Sequence, residues 1–207
     1  MPKRLRVSVI DPGILSRALA LPLRGSSDFD LNPELRLPPD RVLRPAGVLI
    51  AVRCGPTGAD LILTKRSSRL KHHPGQIAFP GGKVEPGDGG PVGAALRESR
   101  EEIGLPQDRV TVLGTLPQHE TVTGFLVTPV LGIVPGDFTP LPEAGEVDEV
   151  FAVPLAHVTA PENFTIERRR WRGDWRRYYA VPYGPYYIWG ATARILRGLA
   201  DRLSSCG

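Results

Sequence analysis

Apolar positions along the 207-residue chain fall into short runs separated by glycine and proline, and the period within each run predicts its element. Residues 46–52, Ala-Gly-Val-Leu-Ile-Ala-Val, predict a strand whose side chains alternate between two faces. Runs at 61–65, 110–115, 125–134 and 149–153 predict four more strands. Helical spacing occurs in three places. Leu15, Ala18 and Leu19 predict a short N-terminal helix, and Ala193, Ile195, Leu196, Leu199 and Leu203 give residues 190–203 one broad apolar side. Between them, Pro91 suits a first helical position, while Gly104-Leu105-Pro106 supplies a left-handed stop and a residue that cannot continue, so a helix is predicted over 91–103. Residues 167–179 predict a hairpin turning at Gly173-Asp174, and 135–145, rich in proline, glycine and acids, predict a mobile loop. Helices on both sides of one sheet make an α/β/α sandwich.

Composition narrows the class. With 41% hydrophobic and 23% charged residues the chain is neither disordered nor fibrous, and at this length one core buries about 70% of the unfolded surface. No apolar run approaches the ~18 residues of a membrane span. Cys54 and Cys206 lie far apart in no metal or redox spacing, which fits a cytoplasmic protein. Residues 1–27 carry five basic side chains and only Asp11, a balance that would also suit a transit peptide, but the helical spacing favours a packed helix. The net charge of +4 is compatible with anionic partners without selecting one.

The candidate chemistry lies in Gly81-Gly82-Lys83-Val84-Glu85-Pro86-Gly87-Asp88 and the acidic stretch Arg97-Glu98-Ser99-Arg100-Glu101-Glu102. At about 100° per residue, Glu98, Glu101 and Glu102 share a sector of roughly 100° on the predicted helix. Such like-charge neighbours cost an isolated helix about 0.2–0.5 kcal/mol per pair. Arg97 reaches Glu101 one turn on but cannot neutralise three carboxylates, and a hard cation with oxygen ligands, Mg2+ or Mn2+, suits the remainder. A solvated acidic face is the alternative, and the glycine turn upstream favours the metal and phosphate reading.

Gly82, Arg97, Glu98, Glu101, Glu102, Gly104 and Leu105 together resemble the Nudix hydrolase signature. Three departures stand out: Asp88 replaces a glutamate, one extra residue separates it from Arg97, and Ser99 stands where an aliphatic residue is usual. Upstream, Ile62-Leu63-Thr64-Lys65-Arg66-Ser67, Lys71, Gly75 and Phe79-Pro80-Gly81-Gly82 resemble the coenzyme A pyrophosphatase branch, with Lys71 in place of its usual arginine. Thr121–Phe125, Val127–Val130 and Tyr187–Ala193 look like further segments of that branch.

The resemblance implies a Nudix-type α/β/α sandwich with a mixed sheet and a loop–helix–loop metal site over 44–207, preceded by an extension over 1–43 whose helix packs on it. It further implies Glu98, Glu101 and Glu102 as metal ligands, Glu98, Arg97 and Glu101 as catalytic residues, and Arg66, Ser67, Lys71, Gly75, Phe79, Gly81 and Gly82 as substrate-binding. Backbone N–H groups of the glycine turn and the Arg66 and Lys71 side chains would stabilise charge on the leaving phosphate. Glu98 is the expected general base, with Glu143 or Glu146 of the 135–146 region as rivals. The reaction implied is metal-dependent cleavage of coenzyme A to 4'-phosphopantetheine and 3',5'-ADP, with no nucleic-acid or membrane partner and with a homodimer left open. Another nucleoside diphosphate derivative as substrate, or a non-catalytic nucleotide- or RNA-binding module, are the alternatives. The arginines and aromatics of 167–179 would suit either nucleotide stacking or a solvated hairpin with its aromatics on the core. Adjacent His72 and His73 point apart and are read as surface residues.

Overall fold

The computed structural model describes residues 12–22, 24–35, 40–55, 58–171 and 173–206. The basic stretch 1–11, including Asp11, and Arg172 of the hairpin lie outside the described residues. In chain order the elements are α1 (Pro12–Ala20), β1 (Ser26–Ser27), β2 (Arg44–Gly55), β3 (Gly58–Arg66), β4 (Ile77–Ala78), β5 (Gly81–Lys83) and α2 (Pro91–Ile103). There follow β6 (Thr111–Thr115), β7 (His119–Glu120), β8 (Phe125–Val134), β9 (Val147–Pro154), α3 (Leu155–Val158), β10 (Thr165–Trp171), β11 (Asp174–Ala180) and α4 (Gly190–Ser205).

Among the described residues, β1 to β9 form one mixed sheet and β10 and β11 a separate antiparallel pair. β2 is central: it runs parallel to β8 over its first ten residues, and on its other side it pairs antiparallel with two strands in succession. β3 takes the end of β2, from Ala51 opposite Ile62 to Gly55 opposite Gly58. Beyond Ala51 the two strands part, and residues 77–83 fill the split. β4 pairs with β3 at Thr64 and Lys65, the Leu49 N–H donates to the Pro80 carbonyl at 2.8 Å, and β5 pairs with β2 at Ala46, Gly47 and Val48. The candidate glycine turn is therefore part of the sheet, and backbone bonds on both sides hold it.

Side-chain alternation along β2 sorts the core into two layers. Leu49 and Ala51 face α2 with Ile62, Val130, Ala95 and Ile103, whereas Ile50 and Val52 face the opposite layer with Leu61, Leu63, Leu131, Leu196 and Leu199. Both faces are covered, so β2 is apolar on both, and its expected alternation is one of direction rather than polarity. Gly47 sits where α2 crosses the sheet: a Cβ there would fall 1.8 Å from the Pro91 carbonyl oxygen.

α1 packs with Leu15 and Ala18 fully buried, and its last carbonyls are capped by the buried Arg202 of α4, whose Nη1 donates to the Ala18 oxygen at 2.7 Å. Downstream, β1 runs beside β7, where the fully buried His119 is pinned between Ser26 Oγ at 2.9 Å and Asp28 Oδ1 at 3.2 Å. The buried Asn32 side chain acts as a strand partner for Arg177: its Nδ2 donates to the Arg177 carbonyl at 3.0 Å, and its Oδ1 accepts the Arg177 N–H at 2.8 Å. The N-terminal segment thus fastens the hairpin as well as the sheet.

Two expectations are corrected. The hairpin pairs Trp171 with Asp174, so Asp174 belongs to the strand and not to the turn expected at Gly173-Asp174. The stretch 135–145 is docked rather than loose: Phe138 is buried, the Leu141 N–H donates to the Ile103 carbonyl and the Glu143 N–H to the Glu102 carbonyl, both at 2.9 Å. Those carbonyls belong to the last turn of α2 and have no intrahelical partner. Among the described residues, no helix is long and apolar enough to cross a membrane.

Candidate active site

The site is built where the split in the sheet meets α2. Gly81, at φ 148°, aims its N–H at Glu102 Oε2 at 3.0 Å. Gly82 leaves room for Glu98, since a Cβ there would lie 2.3 Å from Glu98 Oε1. The helix ends at Gly104 as its punctuation predicts: φ is 70°, and the Gly104 and Leu105 N–H groups return to the carbonyls of Arg100 and Ser99. Ser99 packs fully buried and donates its hydroxyl to the Ala95 carbonyl at 2.6 Å, which accounts for a small residue at that place.

The three glutamates share a side of α2 but differ in depth. Glu102 has 4% of its side chain exposed, Glu98 17% and Glu101 47%. Burial pushes the Glu102 carboxyl up to about 7; the Gly81 N–H and Arg66 oppose this, and Glu98 and Glu146 add to it. Burial likewise raises the Glu98 carboxyl, against the pull of Arg97 and with help from Glu101 and Glu146. Of the two loop acids, Glu146 is thus the one whose charge acts on both glutamates. Glu143 turns its Oε2 to the Glu146 N–H at 3.0 Å.

Arg97 does more than its helical spacing predicts. Its Nε and Nη2 grip both oxygens of Asp88 at 2.8 and 3.2 Å, and Nη1 reaches Glu98 at 3.0 Å and Glu101 at 2.9 Å. Nη2 also donates to the Lys83 carbonyl at 3.1 Å, which ties the helix to the glycine turn. Arg97, grouped with the catalytic residues on sequence grounds, is in this arrangement a brace that orients Glu98. The Asp88 that departs from the usual glutamate is its counter-ion, held below the ordinary carboxylate range by the Arg97 hydrogen bonds and the Glu85 N–H. Among the described residues, no three carboxylate, imidazole or thiol groups converge on one point as metal ligands do. Glu102 is the carboxylate that Arg97 leaves uncompensated.

Arg66 ends β3 with its Nη1 3.7 Å from Glu102 Oε1. From there the chain makes a closed excursion: the Gly75 N–H returns to the Arg66 carbonyl and the Arg66 N–H donates to the Gln76 carbonyl, each at 3.0 Å, with Gly75 at φ 69°. Lys71 and both histidines are exposed on this loop.

Two residues assigned to substrate on sequence grounds belong to the interior. Ser67 is fully buried, donating its N–H to the Glu146 carbonyl at 2.8 Å and accepting the Arg69 N–H on Oγ at 3.3 Å. Phe79 is in the core with Ile77 and Val181. A third role also changes. The Gly81 N–H is committed to Glu102, so it is not free for a leaving phosphate. The structure therefore brings together Arg66, Gly81, Gly82, Glu98, Glu101 and Glu102, sets Glu146 rather than Glu143 to act on them, leaves Lys71 exposed, and gives roles to Asp88 and Gly47. The one sequence signal for Gly47 is a glycine in the middle of an apolar strand run.

The asymmetry between Gly82 and Gly47 yields an expected result. An alanine at residue 82 meets the far end of a flexible side chain, which can swing away, so Gly82→Ala should cost stability less than about 1 kcal/mol. It should nevertheless lower kcat at least roughly tenfold by displacing Glu98. Unchanged kcat with an unchanged melting temperature would show that Glu98 does not need this position.

A sheet split to admit a glycine turn, with buried and half-buried carboxylates of one helix against it and an arginine at the rim, is the frame of a phosphoanhydride hydrolase. The NUDIX domain model matches residues 43–173. The chain is 40% identical over 187 residues to a Pectobacterium atrosepticum protein named uncharacterized Nudix hydrolase NudL, covering 86% of this chain and 94% of that one. It is 44% identical over 160 residues to the protein of the same name from Escherichia coli K12, covering 76% and 81%. Among solved structures, the Nudix hydrolase RenU of M. smegmatis superposes with a TM-score of 0.48 at 22% identity over 58% of this chain and 83% of that one. The chain belongs to the Nudix family and is a pyrophosphohydrolase of nucleoside diphosphate derivatives.

Proposed function

We propose that the substrate is coenzyme A or one of its derivatives, hydrolysed at the pyrophosphate to 4'-phosphopantetheine and 3',5'-ADP. The carrying observation concerns one carboxylate. The segment that resembles the coenzyme A branch runs from Ile62 to Gly82, and two of its members meet on Glu102: Arg66 faces Oε1 at 3.7 Å and the Gly81 N–H bonds Oε2 at 3.0 Å. On this reading residues 44–207 are the catalytic domain and 1–43 an extension that fastens the hairpin.

The donor chemistry fits a hard divalent cation. Among the described residues, the one cation within ion-pair distance of the buried Glu102, Arg66, lies beyond hydrogen-bond distance, and Glu98 and Glu101 offer further oxygens from the same side of α2. Bound there by Glu98, Glu101 and Glu102, Mg2+ or Mn2+ would supply charge neutralisation of the diphosphate and acidification of water. Glu98, its proton affinity raised by burial, takes the proton of the attacking water, with Glu146 the rival for that role. Arg66 faces the charge that develops on the departing phosphate. Arg97 keeps Glu98 in place throughout.

Product masses test the substrate. Purified protein is incubated with coenzyme A, NADH, ADP-ribose and diadenosine polyphosphates, with Mg2+, Mn2+ or EDTA. Coenzyme A should be split with either metal and remain intact in EDTA. Turnover of another compound with coenzyme A untouched would overturn the branch assignment while leaving the family chemistry standing.

A further inference from the structure

The β10–β11 hairpin is absorbed by neither the sheet nor the glutamate site, yet its arginines are not equivalent. Cross-strand pairing puts Glu167, Arg169 and Tyr178 on one face and Arg168, Arg170 and Trp175 on the other. On the outer face Arg168 lies 5.0 Å from the centre of the exposed Trp175 ring, as expected of a solvated hairpin. The inner face is different. There the Arg169 guanidinium stacks 4.2 Å above the Trp189 ring, which Tyr178 meets edge-on at 5.1 Å. Tyr178 is fixed in turn through its hydroxyl, 3.2 Å from that of Tyr187.

Trp189 directly precedes α4, and α4 is locked to β4, at the end of the 66–76 loop, by the Thr192 hydroxyl, which donates to the Ile77 carbonyl at 3.1 Å. His73 of that loop is held by the Gln76 side chain, and the charges of both Arg66 and Arg169 act on it. Two guanidinium groups, Arg66 beside Glu102 and Arg169 on the inner face of the hairpin, therefore act on the same loop, where burial and their charge keep the His73 imidazole neutral. Among the described residues, no carboxylate is within ion-pair distance of Arg169. Like charges gathered on a rigid, partly aromatic support gain nothing in the free protein, and a stacked guanidinium keeps its N–H edge open to an oxyanion.

We propose that Arg169, stacked on Trp189, forms a second anion subsite, which binds a phosphate monoester of the substrate remote from the bond cleaved beside Glu98 and Glu102. This rests on the pyrophosphatase reading for its place in the reaction, though not for its ligand chemistry. The outer-face arginines take no part in it. Arg169 acts on affinity and specificity and touches no reacting atom.

The test has a binding arm and a kinetic arm. In the first, adenosine 3',5'-bisphosphate and adenosine 5'-monophosphate are titrated calorimetrically into the wild-type chain and into Arg169→Ala. The bisphosphate should bind the wild type more tightly, and the variant should lose about 10- to 100-fold for the bisphosphate, the worth of a charge-assisted contact, with the monophosphate unchanged. In the second, KM for coenzyme A should rise by the same factor with kcat retained, and dephospho-coenzyme A should be indifferent. Arg169→Lys should restore part of the loss. Equal losses for both members of a pair, no loss at all, or no preference of the wild type for the bisphosphate would each overturn the subsite. Should the wild type hydrolyse neither coenzyme, the proposed substrate falls, and the binding arm still decides the subsite.

Discussion

Glu102→Gln should abolish metal-dependent turnover, lowering kcat by roughly 100- to 1000-fold, the several kcal/mol that a well-held metal contributes to phosphoryl chemistry. The same substitution should stabilise the metal-free protein at neutral and alkaline pH. In the folded chain the Glu102 carboxyl is pushed up to about 7 from an ordinary 4.5, so the folded state holds a proton that the unfolded state has released. Its contribution to stability is complete below about 4.5 and is lost as pH rises through 7. Above that range the wild type carries an ionised, buried carboxylate at a cost on the order of 3 kcal/mol, which an amide avoids. Thermal unfolding in EDTA should therefore show the wild type weakening between pH 5 and 8 while Glu102→Gln stays nearly flat. Mg2+ should restore the wild type more at pH 8 than at pH 5, since binding requires the ionised form. Retained turnover, or parallel pH profiles for the two proteins, would remove Glu102 from this role.

Gly47→Ala should be strongly damaging for so small a substitution. Its Cβ would fall 1.8 Å from the Pro91 carbonyl oxygen, 2.7 Å from the carbonyl carbon and 3.1 Å from the Ala95 nitrogen, all of them backbone atoms of α2. No rotamer change relieves that contact, so the helix must lift from the sheet. A loss of about 3 kcal/mol or more is expected, which lowers the melting temperature of a chain this size by roughly 6–12 °C. The lift also carries Glu98 and Glu102 away from the glycine turn, so activity at a temperature where the variant is still folded should fall about 100-fold. A melting curve superimposable on the wild type would mean that α2 does not press on β2 as described. The contrast with Gly82, whose neighbour is a movable side-chain end, separates a glycine that permits packing from one that permits chemistry.

How far such features can be read in advance depends on whether their cause is local. α2 and β8 have the bounds expected of them, because Pro91 and Gly104 punctuate the helix and an unbroken apolar run defines the strand. β4 and β5 are two and three residues long. They carry no period, and only the parting of β2 from β3 makes them strands. The hairpin turn does not extend to Asp174 as expected, because Gly173, at φ 95°, takes the left-handed position and leaves Asp174 to pair.

In the site, the shared side of Glu98, Glu101 and Glu102 follows from helical spacing, but their grading by depth does not, since it is set by the sheet beneath. Arg97 was legible as a partner of Glu101 and illegible as a partner of Asp88, because only tertiary packing folds the turn beneath it. Ser67 and Phe79 belong to a motif whose pattern does not say which members point inward. Likewise the proline-rich stretch 135–145 has the composition of a free loop, yet it supplies the N–H groups that the end of α2 lacks.

The central claim is that water is added across a pyrophosphate at the Glu98–Glu102 helix with the help of a divalent ion. It is tested most directly by mass spectrometry of the products formed from coenzyme A in 18O-labelled water, with Mg2+ and with EDTA. The account predicts 4'-phosphopantetheine and 3',5'-ADP, a single 18O atom in one of the two, and no product in EDTA. Unlabelled products, cleavage at another bond, or equal turnover in the chelator would contradict it.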